Sequence, residues 1–309
     1  LEFATKSTCS GTTAMARRLV KRLRVGGSKL KHVLHGRFLG GDFSFVPRST
    51  RVGTMRKRFP AAERRAARVS DLPLGFCARA EALAAAVTSK TVTGCEVMWL
   101  GDAHRRKARS AVLRALWQAP FRSLRSPGIV FTLLTKGHLL CPRQNPVWRA
   151  FRALRRNLSK FPESWQLVAE CHRLYKQGVR VGPGPVAVLW RQVAALGLRW
   201  ETPDVIEPSP GFARAPLRLR EDPRGFYDHW VRDSIREWAW YEAPLHRSDL
   251  FGVHFGVDRE ASLALLSARG RLAPLEQGIL RGILAGTTPT ADRLCHWGGP
   301  AAPPDATCQ

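Results

Sequence analysis

The sequence predicts a mainly α-helical protein, and three observations carry that expectation. Apolar residues recur at helical spacing through most long segments, as in Ala16, Leu19, Val20 and Leu23. Breakers such as Gly26-Gly27 and Phe161-Pro162 fall between those segments. Alternating strand patterns are scarce, and a hydrophobic content of 44% is enough to bury a core.

The elements follow in chain order. Residues 12–24 read as a basic helix, its apolar stripe flanked by Arg17, Arg18, Lys21, Arg22 and Arg24 and ended by Gly26-Gly27. Phe38-Leu39-Gly40-Gly41-Asp42-Phe43-Ser44, aromatic with paired glycines, reads as a strand and turn. Residues 54–69 are a second basic helical run, with Pro60 placed to open a separate helix inside it. Residues 76–90 are Ala-rich and helix-prone. Residues 102–118 pair Val112, Leu113, Leu116 and Trp117 with Arg105, Arg106, Lys107 and Arg109 on the outside.

Helices are expected over 147–158, 163–177 and 186–197, the last after the turn Gly182-Pro183-Gly184-Pro185. Five prolines between 203 and 223 read as a linker. A Trp-rich helix over 224–241 and helices near 258–269 and 274–285 complete the set, before a tail rich in Pro and Gly.

Charge is divided along the chain. Residues 1–200 carry 38 Lys+Arg against nine Asp+Glu, a net of +29. Residues 201–309 carry 12 Arg, no Lys and 15 Asp+Glu, a net of −3. A one-signed field of that size attracts polyanions, and each nucleic-acid phosphate that is neutralised releases a condensed counterion. Arg and Lys clusters give phosphate contact and orientation, not base readout.

Other chemistry is weakly signalled. No stretch has the apolar length of a membrane span, and no signal-peptide pattern follows Leu1. The seven cysteines are widely spaced and never form C-x-x-C, which fits a reducing compartment; with no signal pattern and an affinity for polyanions, nucleus or cytoplasm is expected. Phosphate loops and serine elbows are absent, and no two acids of the basic half are adjacent or one residue apart. Trp117, Trp148, Phe151, Trp165, Tyr175 and Trp190 have the chemistry to stack bases, though at helical spacing such residues more often build a core.

The order of motifs resembles a known family. Phe3-Ala4-Thr5-Lys6-Ser7, a basic helix and then Arg37-Phe38-Leu39-Gly40-Gly41-Asp42-Phe43-Ser44 are similar to the end of a reverse transcriptase palm of the non-LTR (LINE-type) retrotransposon class. Asp71-Leu72-Pro73-Leu74 before an Ala-rich helix, then Lys90-Thr91-Val92-Thr93-Gly94-Cys95-Glu96, resembles the thumb and connecting helices that follow that palm. Leu280 to Gly286, Thr290 to Leu294 and Cys308 resemble the lead-in to that family's zinc-binding segment.

The resemblance implies the following. Residues 1–53 are a palm edge with a primer-grip-like segment, 54–200 a basic helical thumb and connection, 201–223 a linker, and 224–309 a helical Trp-rich region with a truncated zinc-segment-like tail. Lys6 matches the palm lysine, and Phe38, Leu39 and Gly40 match the primer grip. Cys308 matches the first zinc ligand, with no further ligands after it in this sequence. The aspartates that hold magnesium in an RNA-directed DNA polymerase are not among these residues. Nucleotidyl transfer is therefore not expected of this chain alone, no cofactor is expected in it, and Mg2+ belongs only to a complete polymerase. The expected activity is binding of RNA or an RNA–DNA hybrid, with no membrane partner. It would use three basic clusters: Arg17, Arg18, Lys21, Arg22 and Arg24; Arg56, Lys57, Arg58, Arg64, Arg65 and Arg68; and Arg105, Arg106, Lys107 and Arg109. The alternatives are a non-catalytic helical RNA- or DNA-binding adaptor and a retroelement relic without function.

Overall fold

Helices built on the expected apolar stripes dominate the structure, a computed structural model that describes residues 14–22, 53–118, 125–179, 184–212, 214–267 and 272–287, with short strands between 8 and 44. The N-terminal elements are β1 (Thr8–Cys9), α1 (Ala14–Arg22), β2 (Arg24–Val25), β3 (Ser28–Lys29), β4 (Lys31–His32), β5 (His35–Phe38) and β6 (Gly41–Ser44). β1 pairs with β4 in parallel, while β2–β3 and β5–β6 are antiparallel. Phe38 lies opposite Gly41, so the expected strand and turn is a hairpin.

The first helical layer comprises α2 (Gly53–Asp71), α3 (Phe76–Leu83), a π turn (Ala84–Thr88), α4 (Ser89–Val92) and α5 (Asp102–Trp117). Pro60 lies inside a continuous α2 and opens no new helix. Its missing N–H costs a ladder bond. Phe59 and Ala62 are both buried, which holds the helix against the core on either side of it. Phe59 stacks on His104, Glu63 pairs with Lys107 at 3.4 Å, and Gln118 donates to the Ser70 carbonyl at 2.6 Å. Contacts thus advance in the same direction along both helices, so α2 and α5 run parallel. Their apolar faces meet around Leu83, Val112, Leu116 and Phe131.

The chain continues through α6 (Pro127–Ile129), a second π turn (Val130–Leu134), α7 (Gly137–Leu140), α8 (Asn145–Lys160), α9 (Trp165–Lys176) and α10 (Pro185–Ala195). Next come β7 (Arg199–Thr202), β8 (Val205–Glu207) and β9 (Leu217–Arg218), one antiparallel sheet in that order. The 23-residue α11 (Arg224–His246), α12 (Arg259–Ala264) and α13 (Pro274–Leu284) close the described chain. Asp258 caps α12 by accepting from the Ala261 N–H at 2.9 Å, and Glu276 accepts from the Ala273 N–H at 2.7 Å ahead of α13.

The stretch 201–223 is not the linker its prolines suggest. Ile206, Leu217 and Leu219 are fully buried in one cluster with Phe151 and Leu154 of α8 and Tyr227 and Trp230 of α11. Each such side chain contributes about 1.5–3 kcal/mol on burial, so this segment joins the two helices into one core. The prolines sit at turns and strand ends, where no ladder N–H is lost.

Most aromatics singled out for stacking serve the core. Phe151 is fully buried and Trp148 nearly so. Trp190 lies among His172, Tyr175 and Trp200. Trp117 packs on Phe76 and beneath Arg125, and Trp165 lies beneath Arg220. Cys77, Cys95, Cys141 and Cys171 are free thiols. Among the described residues no helix is long and apolar enough to cross a membrane.

Candidate nucleic-acid interface

A strongly basic concave surface lies on α8 and α11. The apolar stripe Val147, Trp148, Phe151, Leu154 and Leu158 turns one side of α8 inward. Helical spacing then sends Arg149, Arg152, Arg156 and Lys160 to another side. On α11, burial of Tyr227, Trp230, Val231, Ser234 and Ile235 leaves Arg224, Asp228, Arg232 and Arg236 four residues apart along one face.

Two cavities lie beside this face of α11, the first of them between α8 and α11. The first, of about 520 Å³, is lined by Arg149, Arg152, Arg155, Arg156, Lys160 and Arg224, with Glu96 and Asp228 the only carboxylates among the described residues. Arg149 pairs with Glu96 at 2.5 Å, while Arg152 and Arg224 stand 3.9 and 4.0 Å from Asp228. Arg155 is an internal anchor. Its guanidinium donates to the carbonyls of Leu219, Arg220 and Asp222 at 2.6–2.9 Å and lies 5.6 Å from the Tyr227 ring centre. Arg156 and Lys160 are exposed and make no ion pair among the described residues.

The second cavity, of about 320 Å³, lies between the Val130–Leu134 π turn, the start of α7 and the middle of α11. Lys136, Arg232, Arg236 and Arg259 line it with His138, Thr132 and Thr135, and no carboxylate does among the described residues. His138 stacks edge-on against Trp148 at 5.0 Å and links the two cavities. Burial, followed by Arg232, Arg236, Lys136 and Arg152, pushes its imidazole down to about 4. His138 is therefore neutral near pH 7, in a positive field.

The sequence-selected residues divide into three groups. Arg64 and Arg68 on α2 and Arg106 and Lys107 on α5 are exposed, and the parallel packing brings the two clusters onto neighbouring helices. Arg65 is exposed but donates to the Ala86 carbonyl at 3.3 Å.

Of the selected arginines, two are buried and a third is half-buried. Arg58 is 6% exposed and donates to the Thr93 carbonyl at 2.7 Å. Arg105 is also 6% exposed, pairs with Asp102 and lies 4.4 Å from the Trp99 ring centre. Arg109 is half-buried, and desolvation draws its pKa down. Arg58 and Arg105 are packing cations, Arg58 held by a backbone carbonyl and Arg105 by a carboxylate and a ring.

The remaining residues are less fully placed. Arg18, Lys21, Arg22 and Arg24 are exposed on and after α1. Arg17 lies on α1, Phe38 ends β5, and Arg56 and Lys57 lie on α2, all with side chains outside the described residues. Lys6, Leu39, Gly40 and Cys308 lie outside the described residues.

The seam itself was not selected from sequence. Its signal is the basic row 149, 152, 156, 160, set off from the apolar stripe of the same helix. Among the described residues no group of three His, Cys, Asp or Glu side chains is placed to hold a metal ion. In comparisons with known proteins, no family model, no curated protein and no solved structure matches the chain.

Proposed function

We propose that this chain grips the backbone of RNA or of an RNA–DNA hybrid along the α8–α11 seam, as the nucleic-acid-holding part of a non-LTR retroelement reverse transcriptase. The observation that carries the binding reading is the excess of cations over carboxylates in the two cavities: among the described residues, ten Lys and Arg against Glu96 and Asp228. A surface that must track any template needs phosphate contacts rather than base contacts, and guanidinium groups on two rigid helices supply them. The retroelement assignment rests on the order of motifs from Phe3 to Cys308.

The test is charge reversal. Arg156→Glu with Arg224→Glu, both exposed, should weaken binding of a single-stranded RNA by about tenfold or more. Arg64→Glu with Arg68→Glu should weaken it less. Equal loss from both pairs would place the grip elsewhere.

A second reading, the non-catalytic adaptor, gains from apolar residues exposed after α11. Phe251 is 79% and Phe255 83% exposed, a surface suited to a protein partner. Preference for an RNA–DNA hybrid over duplex DNA favours the polymerase reading. Equal affinity for all nucleic acids favours the adaptor.

A further inference from the structure

The second cavity differs in kind from the first, because no carboxylate of the described residues lines it. Four cationic side chains converge there from three elements: Lys136 before α7, Arg232 and Arg236 on α11, and Arg259 on α12. Arg236 is held by Asp233 at 3.0 Å, outside the cavity lining. Lys136 and Arg232 have no ion-pair partner among the described residues. The buried Nε of Arg259 has no hydrogen-bond partner among them either, so this guanidinium retains an unused donor.

The walls are fixed. Phe131 and Ile235, both almost fully buried, line it. At Gly137 a Cβ would lie 1.8 Å from the Phe131 carbonyl oxygen, so the backbone there is in close contact and leaves no room for a side chain. A π turn carries Phe131 and Thr132 into the wall, a distortion that costs helix regularity and is often found at functional sites. The concentration of like charge is unfavourable unless an anion neutralises it.

We infer that this cavity receives a phosphate monoester, the terminal phosphate of a bound nucleic acid. A phosphodiester presents one negative charge and two free oxygens, and runs on in both directions. A terminal monoester presents close to two charges and three acceptor oxygens, which suits a pocket of four cations about 320 Å³ in volume. Planar guanidinium forks bind such oxygens in pairs, and Lys136 adds a point charge. The inference rests on the nucleic-acid reading above for the source of the phosphate, but the cavity chemistry stands apart from it.

The experiment uses the full chain and one oligoribonucleotide in three forms, with a 5′-phosphate, a 3′-phosphate or hydroxyls at both ends. Inorganic phosphate serves as a separate probe by thermal shift. At least one phosphorylated form should bind about tenfold more tightly than the hydroxyl form, the effect of one or two charge-assisted hydrogen bonds. Lys136→Gln with Arg259→Gln should abolish that preference, and Lys136→Arg should retain it. Equal affinity for all three forms overturns the inference and leaves the nucleic-acid reading standing. If no oligonucleotide binds but inorganic phosphate raises the melting temperature of the wild type and not of the double variant, the cavity is a phosphate site and the nucleic-acid reading fails. If neither probe binds, both fail.

Discussion

The phenolic hydroxyl of Tyr227 donates to the main-chain carbonyl of Phe151 across 2.9 Å of buried space. This bond ties α11 to α8 at the level of the seam, beside the three carbonyls that Arg155 holds. It adds to the apolar cluster that packs the two helices together. Tyr227→Phe removes one buried hydrogen bond without changing shape. It should cost about 1 kcal/mol of stability, read as a lower melting temperature.

Tyr227 also gives an alkaline signature. Burial raises its pKa well above the usual phenol value of 10.0. The folded state therefore keeps its proton where the unfolded chain releases it. Stability is full below pH 10 and falls as pH rises above it. Tyr227→Phe should flatten that fall, and an unchanged alkaline profile in the variant would count against the buried environment.

His138 gives the opposite signature. Its pKa falls from 6.5 to about 4 in the fold, so the unfolded chain binds the proton first as pH drops. Stability is full above pH 6.5 and declines between 6.5 and about 4. His138→Gln should remove the part of the decline due to this residue. Bound phosphate, by supplying negative charge, should shift the His138 titration upward in an NMR pH series.

Gly137 tests packing where α7 begins. A Cβ would meet the Phe131 carbonyl at 1.8 Å and Gln144 Oε1 at 2.3 Å. The first contact is with backbone, which cannot yield as a side chain does. Gly137→Ala should therefore destabilise by about 3 kcal/mol or more, measured by denaturant titration. A neutral substitution would contradict the local geometry.

Arg58 separates packing from binding among the residues selected by charge. Arg58→Ala deletes a hydrogen bond to the Thr93 carbonyl and the burial of the side-chain stem. It should cost about 1–3 kcal/mol while leaving RNA affinity unchanged. Arg64→Ala, exposed on the same helix, should leave the melt unaltered.

These contrasts mark what the sequence discloses. Helices are readable because stripes such as Val147, Phe151, Leu154 and Leu158 follow the helical period within one segment. Whether an arginine faces water is not readable when its partner is distant. Arg58 meets a carbonyl 35 residues away, and Arg155 meets carbonyls 64 to 67 residues away. The α11 row of Arg224, Arg232 and Arg236 is masked because residues 201–309 are net acidic. The prolines of 201–223 conceal a sheet, since Leu217 and Leu219 acquire their burial only from helices on either side. Lys136, Arg232 and Arg259 are up to 123 residues apart in sequence, so no local pattern signals their cavity.

The central claim is that phosphate contacts along the α8–α11 seam supply the affinity for nucleic acid. The direct measurement is the salt dependence of single-stranded RNA binding, for the wild type and for the triple variant Arg152→Gln, Arg156→Gln and Arg224→Gln. With about four phosphates engaged, the logarithm of the association constant should fall with log salt at a slope of about −3, and the variant should reduce that slope by about 2. A flat response in the wild type, or a slope the variant leaves unchanged, would contradict it.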